Sequence, residues 1–490
     1  MFFFFIYDIF FHNDMKNVIE LLYNNFLNSP NDLALSDDDR SLTYKDLYFE
    51  VLTKASYIRE LGIYKEPVIV MASHTVDTIV SFFAILLSNN YYIPLDEDIP
   101  FHKLERIIEL SHAKYIINPK EENNLISSLH FKKPNRVYEF KDFEKWFNED
   151  NLSYLMFTSG STGEPKGVIK NHKNIIAFVN NFTESFPFLV KERMMNQTPF
   201  FFDASAKDIY LFLKLGATLF IPKKTVFSLP LETVKYLNEK QISYVYWVPS
   251  ILMMVAKTRT LSYMKPEYLK YVFFVGEVFQ VKYLNMWIEA LPNIRFFNTY
   301  GSTEVMGIVA CYEIKGHYEK DAIPLGKGIK NNELELVEGE IVIHSPQVAK
   351  GYINPGLTGG FKGNDTFYTG DFATKDEEGN IVFLSRKDFQ IKHLGYRIEL
   401  QEIEANLTAL EYIDTCCALY DEVKDRIALF ASLNQELDNP VKRIISDAKD
   451  RLQFYMVPNV VIIKNEMPLN QNGKIDRMSL KKEITENGRN

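Results

Sequence analysis

Short apolar runs alternate with helix-period segments through the first two thirds of the chain. The apolar run "EPVIVMAS" (residues 66–73) precedes "TVDTIVSFFAILLSNN" (75–90), whose apolar positions follow a helical period. The alternation returns with the apolar runs "ISYVYWVPS" (242–250), "YVFFVGE" (271–277) and "IRFFNTYG" (294–301). This pattern predicts βαβ units and a largely parallel sheet. Ligands of such sheets bind beyond the carboxyl ends of the strands, where the small and polar endings of these runs fall.

The pattern changes after residue 340. Glycines punctuate the alternating stretch "GEIVIHSPQVAKGYINPGLTGGF" (339–361), which predicts a β-rich subdomain. Farther on, "RIELQEIEANLTAL" (397–410) and "PVKRIISDAKDRLQFY" (440–455) predict helices of a smaller unit. We therefore predict an α/β fold. A large N-terminal domain over residues 15–387 has mostly parallel sheets and the β-rich subdomain, and a small α+β domain spans residues 388–490.

The opening "MFFFFIYDIFFHND" requires a separate interpretation. No Lys or Arg precedes its run of phenylalanines, Asp8 interrupts the run, and no small-residue cleavage site follows. The run is also too short to span a bilayer. We interpret residues 1–14 as an N-terminal extension, with the working protein beginning near Met15.

Composition and charge indicate a protein that binds a small ligand. The chain has 490 residues, of which 46% are hydrophobic, so it can form a large core. Its net charge is -9 and it contains no sustained block of Lys or Arg, which argues against nucleic acid or an anionic membrane as the main partner. Three cysteines (Cys311, Cys416 and Cys417) have neither metal-site nor disulfide-framework spacing. A reducing, cytoplasmic location is expected.

The stretch "YLMFTSGSTGEPKGVIKNH" (Tyr154–His172) contains a loop rich in glycine, serine and threonine between a strand-like run and a turn into a helix. It does not match the usual P-loop, because Gly160 and Gly163 are three residues apart and Lys166 follows a proline. Glycines nevertheless let successive backbone N–H groups converge on an anion, and the hydroxyls add donors. A phosphate site is therefore predicted in preference to a surface linker.

Further segments follow the loop in a recognisable order. They are "NTYGSTE" (298–304), "YTGD" (368–371), "SRKDFQIKHLGYRIELQEIE" (385–404) and "PLNQNGKIDR" (468–477), and "YYIPLDEDIPFHKLERI" (91–107) precedes the loop. In order and spacing, these motifs resemble the adenylate-forming superfamily, which includes amino-acid adenylation domains, acyl-CoA synthetases and luciferases. The resemblance covers essentially the whole chain after the first fourteen residues.

The resemblance implies that ATP and a carboxylate form an acyl adenylate with loss of pyrophosphate, and that the acyl group then passes to a thiol. It implies that the loop holds the β- and γ-phosphates, that Tyr300 stacks on adenine and Asn298 bonds its edge, and that Asp371 binds the ribose with support from Arg386. The positions implied for ATP are Thr158, Ser159, Gly160, Ser161, Thr162, Gly163, Lys166, Asn298, Thr299, Tyr300, Gly301, Ser302, Asp371 and Arg386.

The resemblance also implies the catalytic groups. Lys474 would bridge the carboxylate and the phosphate in the transition state, Thr303 would donate to the α-phosphate, and Glu304 would help to hold Mg²⁺. Asp388 matches the hinge about which the small, mobile domain rotates. The chain departs from the family where Ser302 replaces the usual proline before Thr303 and Glu304, and where a serine replaces the glycine before Arg386. Neither change removes a functional group.

In amino-acid-activating members of the family, an aspartate in a Phe-Asp-x-Ser segment pairs with the substrate's ammonium group, and Asp203 stands at that place. A carboxylate beside an apolar pocket needs a cation, although an isolated Asp could also be a helix N-cap. Lys207 has two interpretations: facing inward it would favour an acidic substrate, and facing solvent, which we favour, it would be a surface charge. The implied pocket positions are Asp203, Ala204, Lys207, Tyr246, Phe273, Val275, Thr299, Gly307 and Ile308.

The bulk of Tyr246 and Phe273 predicts a small amino acid, with alanine (D or L) first. "FVGEVF" and "GYINPGLT" also resemble D-alanine:carrier-protein ligases more than large peptide synthetases. No phosphopantetheine-accepting serine follows the Gly359–Gly360 pair, so a separate holo acyl or peptidyl carrier protein is the expected partner, with coenzyme A second. An acyl- or aryl-acid:CoA ligase and a catalytically inactive nucleotide-binding scaffold are the alternatives. Asp203 argues against the first, and the retained Lys474, Glu304 and Asp371 argue against the second.

Overall fold

The computed structural model describes residues 15–120, 125–158, 164–320, 322–387, 390–468 and 475–486. The chain forms two compact units. The first contains the chain up to Glu97, Ser111–Met156 and Val168–Ser385. The second contains Asp98–Leu110, Phe157–Gly167 and the chain from Arg386 onwards. The extension proposed at residues 1–14 lies outside the described residues, and the division proposed at residue 388 stays a prediction.

A nine-stranded sheet forms the centre of the first unit. Its six middle strands, from Arg295–Tyr300 to Leu33–Ser36, run parallel to one another. They are short apolar runs, as expected for strands that are covered on both faces. From one edge to the other the strands are Lys327–Gly328, Ala310–Ile314, Arg295–Tyr300, Tyr271–Val275, Tyr244–Trp247, Arg193–Met195, Thr218–Phe220, Leu33–Ser36 and Ser41–Thr43.

A second sheet has six strands, of which the first five are parallel. Its last two strands, Leu152–Thr158 and Lys166–Asn171, precede and follow the glycine-rich loop in the sequence. In order across the sheet the strands are Ser127–Ser128, Tyr115–Ile117, Pro67–Met71, Tyr91–Leu95, Leu152–Thr158 and Lys166–Asn171.

Helices connect these strands. The helix Val76–Leu87 buries every residue except Asp77, which explains why its sequence is apolar on all sides. The helix Asp203–Leu215 ends at Gly216, whose left-handed φ of 58° suits a residue without a Cβ. The helices of the first unit are Glu20–Asn28, Tyr44–Glu60, Val76–Leu87, Phe140–Glu144, His172–Ser185, Asp203–Leu215, Pro230–Glu239, Pro249–Lys257, Thr260–Tyr263 and Val281–Ala290, with a 3₁₀ turn at Lys224–Ser228.

The glycine-punctuated region forms a separate sheet in which the registered strand pairs are antiparallel. Its long strand Thr366–Lys375 alternates buried and more exposed residues, so one face packs against the core. The strands are Glu333–Val337, Glu340–His344, Thr366–Lys375, Phe361–Lys362 and Ile381–Arg386.

The second unit combines small sheets with helices. The hairpin Gln390–His393 and Tyr396–Glu399 is antiparallel, and Arg426–Leu433 is the centre of a three-stranded sheet between Ile413–Asp421 and Val460–Lys464. Lys103 and Glu402 form a buried ion pair within this unit. Its helices are Leu400–Thr408, Pro440–Arg451, Arg477–Glu486 and most of Phe101–Ser111, with a 3₁₀ turn at Phe454–Met456.

These elements confirm the predicted α/β fold with mostly parallel sheets and a β-rich region. The two predicted C-terminal helices are present, at Leu400–Thr408 and Pro440–Arg451. Within the part of the chain that the structure describes, no helix is both long enough and apolar enough to cross a bilayer.

Candidate active site

Adjacent parallel strands bring three predicted pocket residues, Tyr246, Phe273 and Thr299, together with Phe297, which was not predicted. Tyr246 is in register with Phe273, and Phe273 is in register with Phe297. The ring centres of Tyr246 and Phe273 are 5.5 Å apart, and those of Phe273 and Phe297 are 4.3 Å apart and nearly parallel. The Tyr246 hydroxyl shares a 2.7 Å hydrogen bond with Thr299 Oγ1. Because all four side chains are buried, they form a rigid aromatic wall with a single polar edge.

Asp203 begins the helix Asp203–Leu215 and does not cap it. The N-cap residue is Phe202, and no side chain makes a capping hydrogen bond, so the interpretation of Asp203 as an N-cap is wrong. The Tyr154 hydroxyl donates to Asp203 Oδ1 at 2.8 Å and also lies 3.1 Å from Met306 Sδ. Burial, and then the Asp203 carboxylate, raise the pKa of Tyr154 well above its usual value, so Tyr154 remains a hydrogen-bond donor. The helix N-terminus favours the negative charge of Asp203.

Lys207 is buried, and our expectation that it faces solvent is wrong. Only 2% of the residue is exposed. Its Nζ donates to the Tyr246 carbonyl oxygen at 2.9 Å and to Asp208 Oδ2 at 3.2 Å, and it lies 4.2 Å from the centre of the Tyr246 ring. Burial lowers the pKa of Lys207, while the Asp208 carboxylate opposes that shift. The helix buries ten of its thirteen residues, so a charged residue on it does not identify a solvent-facing side.

Two glycines allow a close approach of backbone beside the wall. A Cβ atom on Gly301 would lie 2.2 Å from the carbonyl oxygen of Gly307, so residue 301 can only be glycine in this arrangement. Gly307 has a φ of +68°, and a Cβ there would lie 2.3 Å from the Phe178 ring. Phe178 therefore occupies the space next to Gly307. Of the other predicted pocket positions, Ala204 and Val275 are half-buried and Ile308 is buried.

The turn after Tyr300 carries the predicted catalytic pair. Glu304 is 1% exposed, and the Tyr352 hydroxyl donates to its Oε1 at 2.9 Å. Thr303 is half-buried. The buried hydroxyl of Ser302 has no hydrogen-bond partner among the described residues.

Glu304 also fits a magnesium site. Among the described residues, no three His, Cys, Asp or Glu side chains come together as a metal centre. Mg²⁺ typically takes one or two protein carboxylates and completes its coordination with phosphate oxygens and water. A single buried carboxylate is therefore a suitable protein ligand for a metal ion that arrives with a nucleotide.

Two residues predicted to bind the nucleotide, Tyr300 and Asp371, are 71 positions apart in the sequence and form a hydrogen bond. Tyr300, at the end of its strand, donates its hydroxyl hydrogen to Asp371 Oδ2 at 2.5 Å. The Asp371 N–H donates to Thr369 Oγ1 at 3.0 Å, and 5% of Asp371 is exposed. Asn298 donates its side-chain N–H groups to the carbonyl oxygens of Pro324 at 2.8 Å and Ile323 at 3.4 Å. Because its side-chain nitrogen already donates to these two carbonyl oxygens, the side-chain oxygen of Asn298 is the atom that could accept a hydrogen bond from the amino group of adenine.

The remaining predicted positions are in the second unit or outside the described residues. Thr158 ends the strand before the loop, Lys166 begins the strand after it, and Arg386 ends the strand Ile381–Arg386. Burial raises the pKa of Glu402, while the positive charges of Lys103 and then Lys166 oppose that shift. The predicted residues outside the described part are Ser159, Gly160, Ser161, Thr162, Gly163, Asp388 and Lys474.

The sequence motifs did not single out three side chains at this site. Tyr154 holds Asp203, and Tyr352 holds Glu304. Lys170 is fully buried in the strand Lys166–Asn171; burial lowers its pKa, while the charges of Asp203 and then Glu304 oppose that shift. The only available signal was a lysine inside a strand-like run, "KGVIKN".

Comparison with known proteins identifies similar chains. The family model described as "AMP-binding enzyme" matches residues 23–353. A D-alanine--D-alanyl carrier protein ligase of Bacillus licheniformis is 29% identical, over 96% of this chain and 99% of its own. Zwittermicin A synthase ZmaJ of Bacillus cereus is 30% identical, over 95% of each chain. The solved structure of the Vibrio cholerae adenylation domain AlmE in complex with glycyl-adenosine-5'-phosphate has a TM-score of 0.82 at 19% identity and covers 97% of this chain and 99% of its own.

Proposed function

Because the chain belongs to the AMP-binding enzyme family, we propose that it activates a small amino acid as an aminoacyl adenylate and transfers it to the thiol of a carrier protein. The family predicted from the motifs is confirmed, and so is the ligase class, since full-length relatives are named as ligases. In the first step a carboxylate oxygen of the amino acid bonds to the α-phosphorus of ATP, and the bond to pyrophosphate breaks. The second step exchanges AMP for the phosphopantetheine thiol of a separate carrier protein.

The observation that carries the amino-acid assignment is the position of Asp203. Its carboxylate is held by the Tyr154 hydroxyl at the start of a helix, beside buried aromatic side chains. A carboxylate in such surroundings is stabilised by a cationic ligand, and an α-ammonium group is the cation that an amino acid offers.

The side chain of the substrate would have to be small. Tyr246 and Phe273 are fully buried, and Phe178 occupies the space next to Gly307. The carrier-protein ligase from Bacillus licheniformis is named for D-alanine, which agrees with a small side chain. We therefore propose alanine as the first candidate, with serine and glycine next.

The nucleotide would be held by groups that are already positioned. Asp371 would accept from the ribose hydroxyls, the Tyr300 ring would stack on adenine, and the Asn298 oxygen would accept from the exocyclic amine. Ser302 and Thr303 would donate to phosphate oxygens. Bound Mg²⁺, held by Glu304, would supply neutralisation of the phosphate charge.

A screen of ATP–pyrophosphate exchange over all amino acids in both enantiomers tests this proposal. We expect alanine to give the highest rate. Asp203→Ala should lower kcat/KM for the amino acid by roughly 10- to 100-fold, the effect of one charge-assisted hydrogen bond, with little change in the KM for ATP. Higher activity with carboxylic acids that lack an amino group would contradict the proposal and favour the acyl- or aryl-acid:CoA ligase.

Replacing Asp371 with alanine is expected to weaken ATP binding, because two ribose hydrogen bonds to a carboxylate are lost. Such bonds contribute about 1.5–3 kcal/mol each in favourable settings. The substitution also removes the acceptor of the Tyr300 hydroxyl, so the Tyr300 ring, which would stack on adenine, should be less firmly positioned. Calorimetric titration with ATP measures the effect, and the exposed Glu377→Ala on the following turn is the matched control. Equal ATP affinity in the Asp371 variant and this control would place Asp371 outside the nucleotide site.

A further inference from the structure

Lys170 is a charged side chain in the interior that the expected mechanism does not use. It is 0% exposed, and its Nζ has no hydrogen-bond partner among the described residues. Burying an ammonium group without a partner is costly, so such a group usually serves a ligand or a nearby charge. Burial lowers the pKa of Lys170, while Asp203 first and Glu304 second favour its charged form.

Backbone hydrogen bonds connect the strand of Lys170 to the segment that contacts Glu304. Ile169, its neighbour, donates its N–H to the Gly351 carbonyl oxygen at 2.9 Å and accepts from the Lys350 N–H at 3.0 Å. The same segment continues to Ala349, whose N–H donates to the Glu304 carbonyl oxygen at 2.9 Å. The strand of Lys170 is thus one short segment away from Glu304.

Asp203 approaches from the other side. The strand Leu152–Thr158 neighbours the strand of Lys170 in the sheet, and Tyr154 on that strand donates to Asp203. The strand of Lys170 is therefore beside the elements that carry both carboxylates, the one assigned to the substrate's ammonium group and the one assigned to the metal.

We propose that Lys170 is a substrate-binding residue whose ammonium pairs with the α-carboxylate of the amino acid. This inference rests on the proposed function. An amino acid carries its ammonium and carboxylate groups on the same carbon atom, and Asp203 with Lys170 presents the opposite charges in the same neighbourhood. The substrate carboxylate must also lie between the ammonium site at Asp203 and the phosphate and metal site at Glu304. Lys170 thereby completes the recognition of a zwitterion and directs the carboxylate toward the nucleotide.

Lys170→Met tests the proposal, because methionine keeps most of the length of the side chain and removes its charge. The probes are alanine, in the enantiomer that the exchange screen identifies, and the matching alaninol, which keeps the amine and lacks the carboxylate. We expect the KM for alanine to rise roughly 10- to 100-fold. The inhibition constant of alaninol, measured against alanine, should stay within about twofold of the wild-type value, because alaninol has no group for Lys170 to bind.

The two ligands separate this role from a structural one. A packing defect would weaken alanine and alaninol equally, and that result would overturn the proposal. Unchanged or tighter alanine binding would also overturn it, by showing that Lys170 only neutralises Asp203. Lys173→Met, at a half-exposed lysine three residues later, is the control and should affect neither ligand. Lys170→Gln provides a second uncharged side chain if the methionine variant does not fold, with the same expected difference between the ligands. Alanine activation by the wild type tests the proposed function separately.

Discussion

Replacing Lys474 with alanine is expected to slow amino-acid-dependent ATP–pyrophosphate exchange by on the order of 100- to 1,000-fold, while ATP affinity stays close to that of the wild type. The family resemblance assigns this lysine to the charge that develops between the substrate carboxylate and the α-phosphate. A group that acts mainly on the transition state lowers kcat when it is removed and has little effect on ground-state binding.

The described residues that flank the Lys474 segment are themselves held by hydrogen bonds. Lys474 lies outside the described residues, but the residues on either side of its segment are held together by a 2.7 Å hydrogen bond from the Asp476 N–H to the Pro468 carbonyl oxygen. Arg477 then donates to both carboxylate oxygens of Glu404 at 2.5 Å. The described residues on both sides of the Lys474 segment, Pro468 and Arg477, thus belong to the second unit.

Lys481→Ala provides the matched control, since Lys481 lies on the helix that follows and its side chain is 53% exposed. Exchange rates and calorimetric ATP affinities should be measured for both variants and for the wild type. If Lys474→Ala retained exchange activity equal to that of Lys481→Ala, the assignment of the catalytic lysine would be wrong. A loss of ATP affinity in parallel with the rate would instead indicate a ground-state role.

Sequence reasoning predicted the fold where a strong local pattern determines structure. The apolar runs that contain Tyr246, Phe273 and Thr299 became adjacent strands, because buried parallel strands require continuous apolar sequence. The register of these strands then brought the pocket residues together. The contact between Tyr300 and Asp371 could only be inferred from the family resemblance, because no local pattern relates residues on separate sheets.

Partners across the core explain what the sequence did not predict. A lysine on an amphipathic helix is usually solvated, but Lys207 lies on the helix Asp203–Leu215, which buries ten of its thirteen residues. Lys170 likewise lies on the last strand of its sheet, where a lysine is usually solvated, yet its side chain is fully buried. In both cases the deciding information is a partner far away in the sequence, the Tyr246 carbonyl oxygen for Lys207 and the Asp203 carboxylate for Lys170. Contacts of this kind depend on tertiary structure.

Lys207→Met is expected to destabilise the protein by about 3–5 kcal/mol, because it leaves a buried carboxylate without its cation. Asp208 is 2% exposed, and its Oδ2 accepts from Lys207 Nζ at 3.2 Å and from Asn196 Nδ2 at 2.8 Å. Its Oδ1 has no hydrogen-bond partner among the described residues. Removing Lys207 would leave the Asn196 amide as the only donor to Asp208 that we find in the described part of the chain. Urea unfolding followed by tryptophan fluorescence measures the change.

Lys207→Met combined with Asp208→Leu should recover most of this stability, since replacing both charges with apolar groups of similar size removes the unpaired carboxylate. Lys191→Met is the control, because Lys191 and Asp32 form an exposed pair with side chains 54% and 48% exposed, and such pairs contribute little. A double variant no more stable than Lys207→Met would contradict the ion-pair explanation.

The double variant also answers the question of an acidic substrate. In the wild type the Lys207 ammonium already donates to Asp208 and to the Tyr246 carbonyl oxygen. Its charge is paired with Asp208, so it would bind a second carboxylate only weakly. We therefore expect the folded double variant to rank amino acids in the same order as the wild type in the exchange assay, with alanine first. If the wild type activated aspartate or glutamate and the double variant lost that activity, Lys207 would have to be reassigned to the recognition of an acidic side chain.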